Sequence, residues 1–218
     1  MDEKLLLARG LARMEIFLPE TAREALLRFL EELRHWNRRL NLTAITDPEE
    51  AVEKHLLDSL TLLPLLRGSE RLLDLGSGAG FPGIPLKIAL PALRVCSVDA
   101  VAKKVDFQRH IIRRLGLSEI EVRQGRAEVL GEKEGYSETF EVVVSRAFSS
   151  LAAFVRLALP YLAPKGRIMA MKGAEGEREL ELAVGELDAL GLFCLEARAL
   201  QLPFSGAKRT LIVLAKGE

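Results

Sequence analysis

Leu72-Leu73-Asp74-Leu75-Gly76-Ser77-Gly78-Ala79-Gly80-Phe81-Pro82-Gly83 decides the fold of this 218-residue chain. An apolar run stops at Leu75, glycines follow at Gly76, Gly78 and Gly80, and Pro82 stands where a helix begins. The order predicts a buried strand, a tight turn and a helix. Glycine lets the backbone turn sharply and approach a ligand with no Cβ in the way. In a doubly wound sheet such a turn lies at the carboxyl ends of the strands, where ligands bind.

Working outward from that turn, short apolar runs alternate with helical stretches. Strands are expected at 71–75, 93–98, 119–123, 140–145, 166–172, 193–200 and 209–215, and helices at 82–90, 101–116, 149–159 and 175–190. This alternation implies a parallel sheet with helices on both faces. The last two strands lack a helical spacer, with Leu202-Pro203-Phe204-Ser205-Gly206 between them, so they are expected to form a hairpin with one antiparallel strand. Upstream, Leu26, Leu30, Leu33, Trp36 and Leu40 recur at helical spacing. Asp47-Pro48-Glu49-Glu50 reads as a helix start, with Asp47 as N-cap and a Glu placed to close a capping box. The expected architecture is α/β: a doubly wound, mostly parallel seven-stranded Rossmann-like sheet over 67–218, with an N-terminal helical extension over 1–66.

Two ligands compete for the turn. Gly78-Ala79-Gly80-Phe81-Pro82-Gly83 fits a GxGxxG dinucleotide pattern, and Asp99 follows at about the ~20-residue distance of a ribose-binding acid. Asp74, Gly76, Gly78 and Gly80 fit the Asp-x-Gly-x-Gly-x-Gly loop of enzymes that use S-adenosylmethionine (AdoMet). Register favours AdoMet, because the turn begins at Gly76, two residues before the dinucleotide pattern. An ionised Asp74 also suits a methionyl ammonium better than a pyrophosphate. Asp99, ending the second strand, is placed to accept both ribose hydroxyls. Ala127 and Glu128, after the third strand, should face the adenine, one through its backbone N–H and one through its carboxylate.

Ser145-Arg146-Ala147-Phe148 follows the apolar fourth strand, where donor and acceptor should meet, and Arg146 is the candidate catalytic residue there. No Asn/Asp-Pro-Pro-Tyr/Phe run occurs there, and neither Cys96 nor Cys194 sits in a nucleophile motif. Such a site suits an acceptor that already has a lone pair, such as guanine nitrogen 7, which needs no general base. Lys103, Lys104, Arg126 and Lys172 are candidate RNA contacts. Trp36 falls on an apolar stripe and is expected in the core rather than under a base. His55 and Asp58 are spaced to share a helix face and to clip the extension to the sheet.

Composition narrows the classes. With 49% hydrophobic and 28% charged residues, the chain is an ordinary globular sequence rather than a disordered or fibrous one. Thirty-one basic residues balance 31 acidic ones, which excludes nucleic-acid binding by bulk charge and leaves local patches. The two cysteines are expected as reduced core thiols, and no metal-ligand spacing occurs. No run approaches a membrane span and Met1–Lys4 carry no secretory pattern, so the expected location is the cytoplasm, away from membranes.

Asn41-Leu42-Thr43-Ala44-Ile45, His55-Leu56-Leu57-Asp58-Ser59-Leu60, the Leu73–Leu86 stretch, Gly125-Arg126-Ala127-Glu128, Ser145-Arg146-Ala147-Phe148 and Met171-Lys172-Gly173 occur in that order. The set resembles the bacterial 16S rRNA guanine-N(7) methyltransferase family, RsmG or GidB. The resemblance implies AdoMet as methyl donor, a guanine of 16S ribosomal RNA as acceptor, and cofactor roles for Gly76, Phe81, Ala127, Glu128 and Arg146. It further implies the small ribosomal subunit or its RNA as partner, and a monomer is expected. The rival readings are an AdoMet enzyme of a small molecule and a nonenzymatic nucleotide-binding regulator.

Overall fold

The structure is a computed structural model and describes residues 2–130, 136–146, 148 and 150–217. The extension comprises α1 (Glu3–Arg13), α2 (Glu20–Leu40), α3 (Pro48–Ala51), a π-helical turn over Val52–Leu57, and α4 (Asp58–Leu60). The remainder runs β1 (Arg71–Leu75), α5 (Gly83–Ala89), β2 (Arg94–Asp99), α6 (Ala102–Leu115), β3 (Ile120–Gln124), α7 (Ala127–Leu130), β4 (Phe140–Ser145), α8 (Leu151–Ala158), β5 (Leu162–Lys172), α9 (Gly176–Ala189), β6 (Leu192–Gln201) and β7 (Lys208–Lys216). Ala147, and Ser149 at the start of the expected 149–159 helix, lie outside the described residues.

The seven strands are ordered β3-β2-β1-β4-β5-β7-β6. Pairings from β3 through β5 are parallel, and β7 runs antiparallel to both β5 and β6, as the hairpin reading requires. The chain starts centrally at β1, winds outward to β3, then returns to β4. That reversal opens a crevice at the carboxyl ends of β1 and β4.

Alternation along the strands sorts the core. Leu72, Val95, Val142, Val144 and Met171 pack with Leu62, Leu65 and Leu86 on one face of the sheet. Leu73, Leu75, Val98, Val143 and Ile168 pack with α8 and α9 on the other. A third cluster joins Leu7, Leu26, Leu30, Val52 and Leu56 of the extension to Phe81, Ile84, Ile88, Phe107 and Ile111. The expected boundary at 66/67 therefore separates elements, while one apolar core spans it.

Several local expectations shift. Asp47 does cap α3, accepting from Glu50 N at 2.8 Å, but the Glu50 carboxylate pairs with Lys54 at 2.6 Å instead of closing a box. β5 begins four residues before the expected 166. The buried side of α6 is Val105, Phe107, Gln108 and Ile111, because α6 packs against both the sheet and α2. Cys96 is buried as expected, and burial holds its thiol above the ordinary range. Cys194 is exposed, next to an irregularity between Cys194 and Glu196 on the edge strand β6.

Candidate functional site

The glycine turn is held from three directions. Gly76 N and Ser77 N both donate to Val98 O, at 2.9 and 3.0 Å. Gly78 N donates to Asp99 Oδ2 at 2.8 Å. Gln108 Nε2 donates to Ser77 Oγ and to Gly78 O, each at 2.8 Å. Gly76, Gly78 and Gly80 have φ of +69°, +59° and +98°, which only glycine adopts freely. Asp99 Oδ1 accepts from Val101 N at 2.8 Å, so both carboxylate oxygens are oriented by backbone N–H groups and each keeps a further lone pair.

Beside this turn lies a crevice of about 390 Å³. Gly76, Asp99, Lys104, Arg126, Ala127, Glu128 and Phe148 are among its lining residues. Five residues expected at the donor or RNA side thus meet in one cavity with Gly76. An added Cβ at Gly76 would point at the Phe148 ring, 3.6 Å from Cε2, so the missing side chain leaves a cradle between turn and ring. A carboxylate at one side, a backbone turn at another and an apolar ring opposite fit a nucleoside with an attached apolar chain. Ala127 is fixed by the Tyr161 hydroxyl, which donates to its carbonyl.

Other expected site residues lie elsewhere. Asp74 was expected to face a methionyl ammonium. The strand alternation instead points it toward α5, where it is wholly enclosed and Oδ2 accepts from Gly83 N at 2.8 Å. Burial pushes its carboxyl up to about 7. The Phe81 side chain is buried, its ring 4.4 Å from His55 at an interplanar angle of 11° and 4.9 Å from Phe29. The Arg146 guanidinium stands 5.0 Å over the same Phe81 ring and donates to Lys54 O at 2.9 Å. Burial lowers the Arg146 pKa, opposed by the charges of Asp58 and Asp74. Lys172, expected at RNA phosphate, is buried and paired with Glu179 at 2.8 Å, and it also donates to Phe148 O at 3.0 Å. It thereby holds the segment after β4. Lys103 is exposed and donates to Leu40 O at 2.5 Å.

His55 and Asp58 do not bond to each other as their spacing suggested. The π-helical turn changes which residues share a face. His55 Nε2 meets Thr43 Oγ1 at 3.0 Å, and burial, with Arg146 nearby, lowers its pKa to about 3. Asp58 accepts from Arg209 Nε with both oxygens, at 3.0 and 3.1 Å, tying the extension to β7. The clip exists, with a different partner.

Sequence reading missed Gln108 and Glu53. Both are buried polar side chains inside apolar helical patterns, and that position is the signal that could have found them. Glu53 Oε1 accepts from Phe204 N at 2.6 Å and Ser205 N at 2.9 Å, anchoring the β6–β7 loop.

A family model for GidB, described as rRNA small subunit methyltransferase G, matches residues 22–210. A ribosomal RNA small subunit methyltransferase G of Geobacter sp. (strain M21) is 49% identical over 98% of this chain and 97% of its own length. The protein of the same name from Myxococcus xanthus is 46% identical over 96% of this chain and 95% of its own. Among solved structures, a SAM-dependent methyltransferase from Aquifex aeolicus superposes with a TM-score of 0.59 at 19% identity, covering 80% of this chain and 96% of that one. The last likeness speaks to the fold alone.

Proposed function

The chain belongs to the family of rRNA small subunit methyltransferase G, and from that premise we propose that it moves a methyl group from AdoMet to nitrogen 7 of a guanine in 16S ribosomal RNA. It is an AdoMet-dependent methyltransferase with small-subunit rRNA as its substrate. The observation that carries the donor assignment is the crevice beside Gly76, with the Asp99 carboxylate oriented at its wall.

In this reading the remaining lone pairs of Asp99 take the ribose hydroxyls, and Ala127 N with Glu128 faces the adenine. The Gly76 backbone borders the methionyl chain in the space before Phe148. When bound, AdoMet supplies a methyl on a positively charged sulfur, open to direct attack by a lone pair. Guanine nitrogen 7 carries that lone pair in the neutral base, so no side chain has to remove a proton. The protein contributes alignment, which is worth roughly 7–11 kcal/mol when reacting groups are held in near-attack geometry. Arg146 acts as a positioning residue: it links the end of β4 to the Lys54 carbonyl and to the Phe81 ring. The target guanine must be unpaired or swung out to present its edge. We assign the work to a monomer in the cytoplasm, where small ribosomal subunits are found.

Labelled AdoMet offered with rRNA from cells lacking the protein tests the reading, with 7-methylguanosine mapped afterwards. One labelled guanine in 16S rRNA is expected; label in no RNA would return the choice to a small-molecule substrate or a nonenzymatic regulator. Asp99→Asn keeps an acceptor for the turn and removes the charge. Loss of charge-assisted hydrogen bonds of about 1.5–3 kcal/mol should raise the KM for AdoMet roughly ten- to hundredfold. Unchanged donor affinity by calorimetry would remove Asp99 from the ribose.

A further inference from the structure

At the carboxyl end of α2, His35, Trp36, Arg39 and Leu40 line a groove of about 330 Å³. Trp36 is half-buried. Its ring is braced from inside by Phe107, edge-on at 5.6 Å, and by His110 at 4.8 Å. His35 and Arg39 are exposed at the rim. The bond from Lys103 to Leu40 O brings the first turn of α6 against this end of α2. Next in the chain, Lys104 lines the donor crevice together with Arg126. Arg39, Lys103, Lys104 and Arg126 thus mark a cationic path from crevice to groove. Among the described residues, no carboxylate lies within ion-pair distance of any of the four. On the same two helices, Glu32 is engaged by His110 at 2.9 Å and Arg114 at 3.2 Å and Asp106 by Arg109 at 3.7 Å, while Asp99 and Glu128 share the crevice with Lys104 and Arg126.

We propose that this groove is a nucleotide-stacking subsite that takes a base of single-stranded RNA flanking the target guanine. The inference rests on the rRNA reading above. A fixed aromatic ring, a guanidinium and an imidazole around one concavity suit the flat face of a base. Cations leading away from it suit a phosphate backbone, the combination that grips single strands with little sequence preference. The Trp36 ring, expected in the core, divides its faces: part packs on Phe107 and His110, and the rest is left to the groove.

The chain has one tryptophan, so its emission reports this groove alone. The full-length protein is titrated with an unstructured RNA of about 12 nucleotides, a length that spans one single-strand site. Saturable quenching that weakens with salt is expected. Arg39→Glu, at an exposed position, should weaken the binding about tenfold and lower the slope of log affinity against log salt by about 1. AdoMet affinity should stay unchanged, and in the methylation assay the KM for RNA should rise while kcat holds. RNA that binds by anisotropy without changing Trp36 emission would overturn the subsite. So would duplex RNA of equal charge quenching as strongly, or an unchanged KM for RNA in Arg39→Glu. If the wild type methylates no RNA, the functional reading fails instead, and the titration still reads the groove by itself.

Discussion

Asp74 and Gln108 show how single buried polar groups set up the turn. Asp74 sits at the end of β1 with one oxygen on Gly83 N, and among the described residues its other oxygen has no hydrogen-bond partner. Because burial raises its pKa to about 7, the folded state holds a proton that the unfolded chain has released above the usual carboxylate range. Its contribution to stability is therefore present at low pH and is lost as pH rises from about 4 to about 7. His55, lowered to about 3, works the opposite way: the unfolded chain gains a proton below about 6.5 that the fold resists. The wild-type profile mixes the two, so the difference between Asp74→Asn and wild type is the clean quantity. The Tm advantage of Asp74→Asn should grow between pH 4 and 7 and level off above; a flat difference would mean Asp74 is ionised throughout. Gln108, wholly buried, brings its amide to Ser77 and Gly78 from the α6 side. Gln108→Leu keeps the bulk and removes both bonds. It should raise the AdoMet Kd about tenfold, in line with the ~1–3 kcal/mol cost of an unsatisfied buried acceptor, while kcat at saturating donor changes little. Equal losses in both would argue for damage beyond donor binding.

Among the elements, the turn around Val52–Leu57 carries several of the side-chain and carbonyl ties between extension and sheet. Glu53 anchors the β6–β7 loop, His55 lies on Phe81, the Lys54 carbonyl receives Arg146, and Asp58 follows with Arg209. Glu53→Ala strands the Phe204 and Ser205 amides, which at about 2 kcal/mol should lower Tm by roughly 4–8 °C. Glu53→Gln retains an acceptor and should recover most of that in the same melting experiment. If both variants melted alike, the anchor would depend on charge alone. From the sequence, Asp47-Pro48-Glu49-Glu50 starts a helix that Pro64 kinks or ends, and nothing in its spacing marks a π turn. That turn depends on what packs beneath it, and Phe81 comes from a distant segment. The strands are legible because burial on both faces leaves nearly unbroken apolar runs such as Val142-Val143-Val144. The places of Gly76 and Asp99 at the crevice are legible because they are local: one turn, and one carboxylate at the end of the next strand. Asp74 and Lys172 are not, since their roles are fixed by Gly83 N and Glu179 across the fold.

Over the whole molecule, charge and apolar contacts are unevenly distributed. Lys104 and Arg126 line the crevice and Lys103 reaches the adjoining end of α2, where Arg39 lines the groove, while α9 carries Glu177, Glu179, Glu181, Glu186 and Asp188. A chain of zero net charge thereby carries a local cationic patch, whose pull on an RNA backbone salt should weaken. The apolar division has a stronger consequence. Phe81 and Ile84 of the turn and helix that follow β1, with Phe107 and Ile111 of α6, are buried by Leu26, Phe29, Leu30 and Leu56 of the extension. Without residues 1–66 the sheet would keep its α8–α9 layer and expose the apolar side of α5 and α6, next to the turn that shapes the crevice. A core opened over that width loses several large side-chain contacts at about 2–5 kcal/mol each, comparable to the roughly 5–15 kcal/mol total stability of a domain. The 67–218 fragment should therefore lack a cooperative melting transition and bind a hydrophobic dye such as ANS. A fragment that melted sharply and still bound AdoMet would make the extension an RNA-binding attachment instead of half of the core.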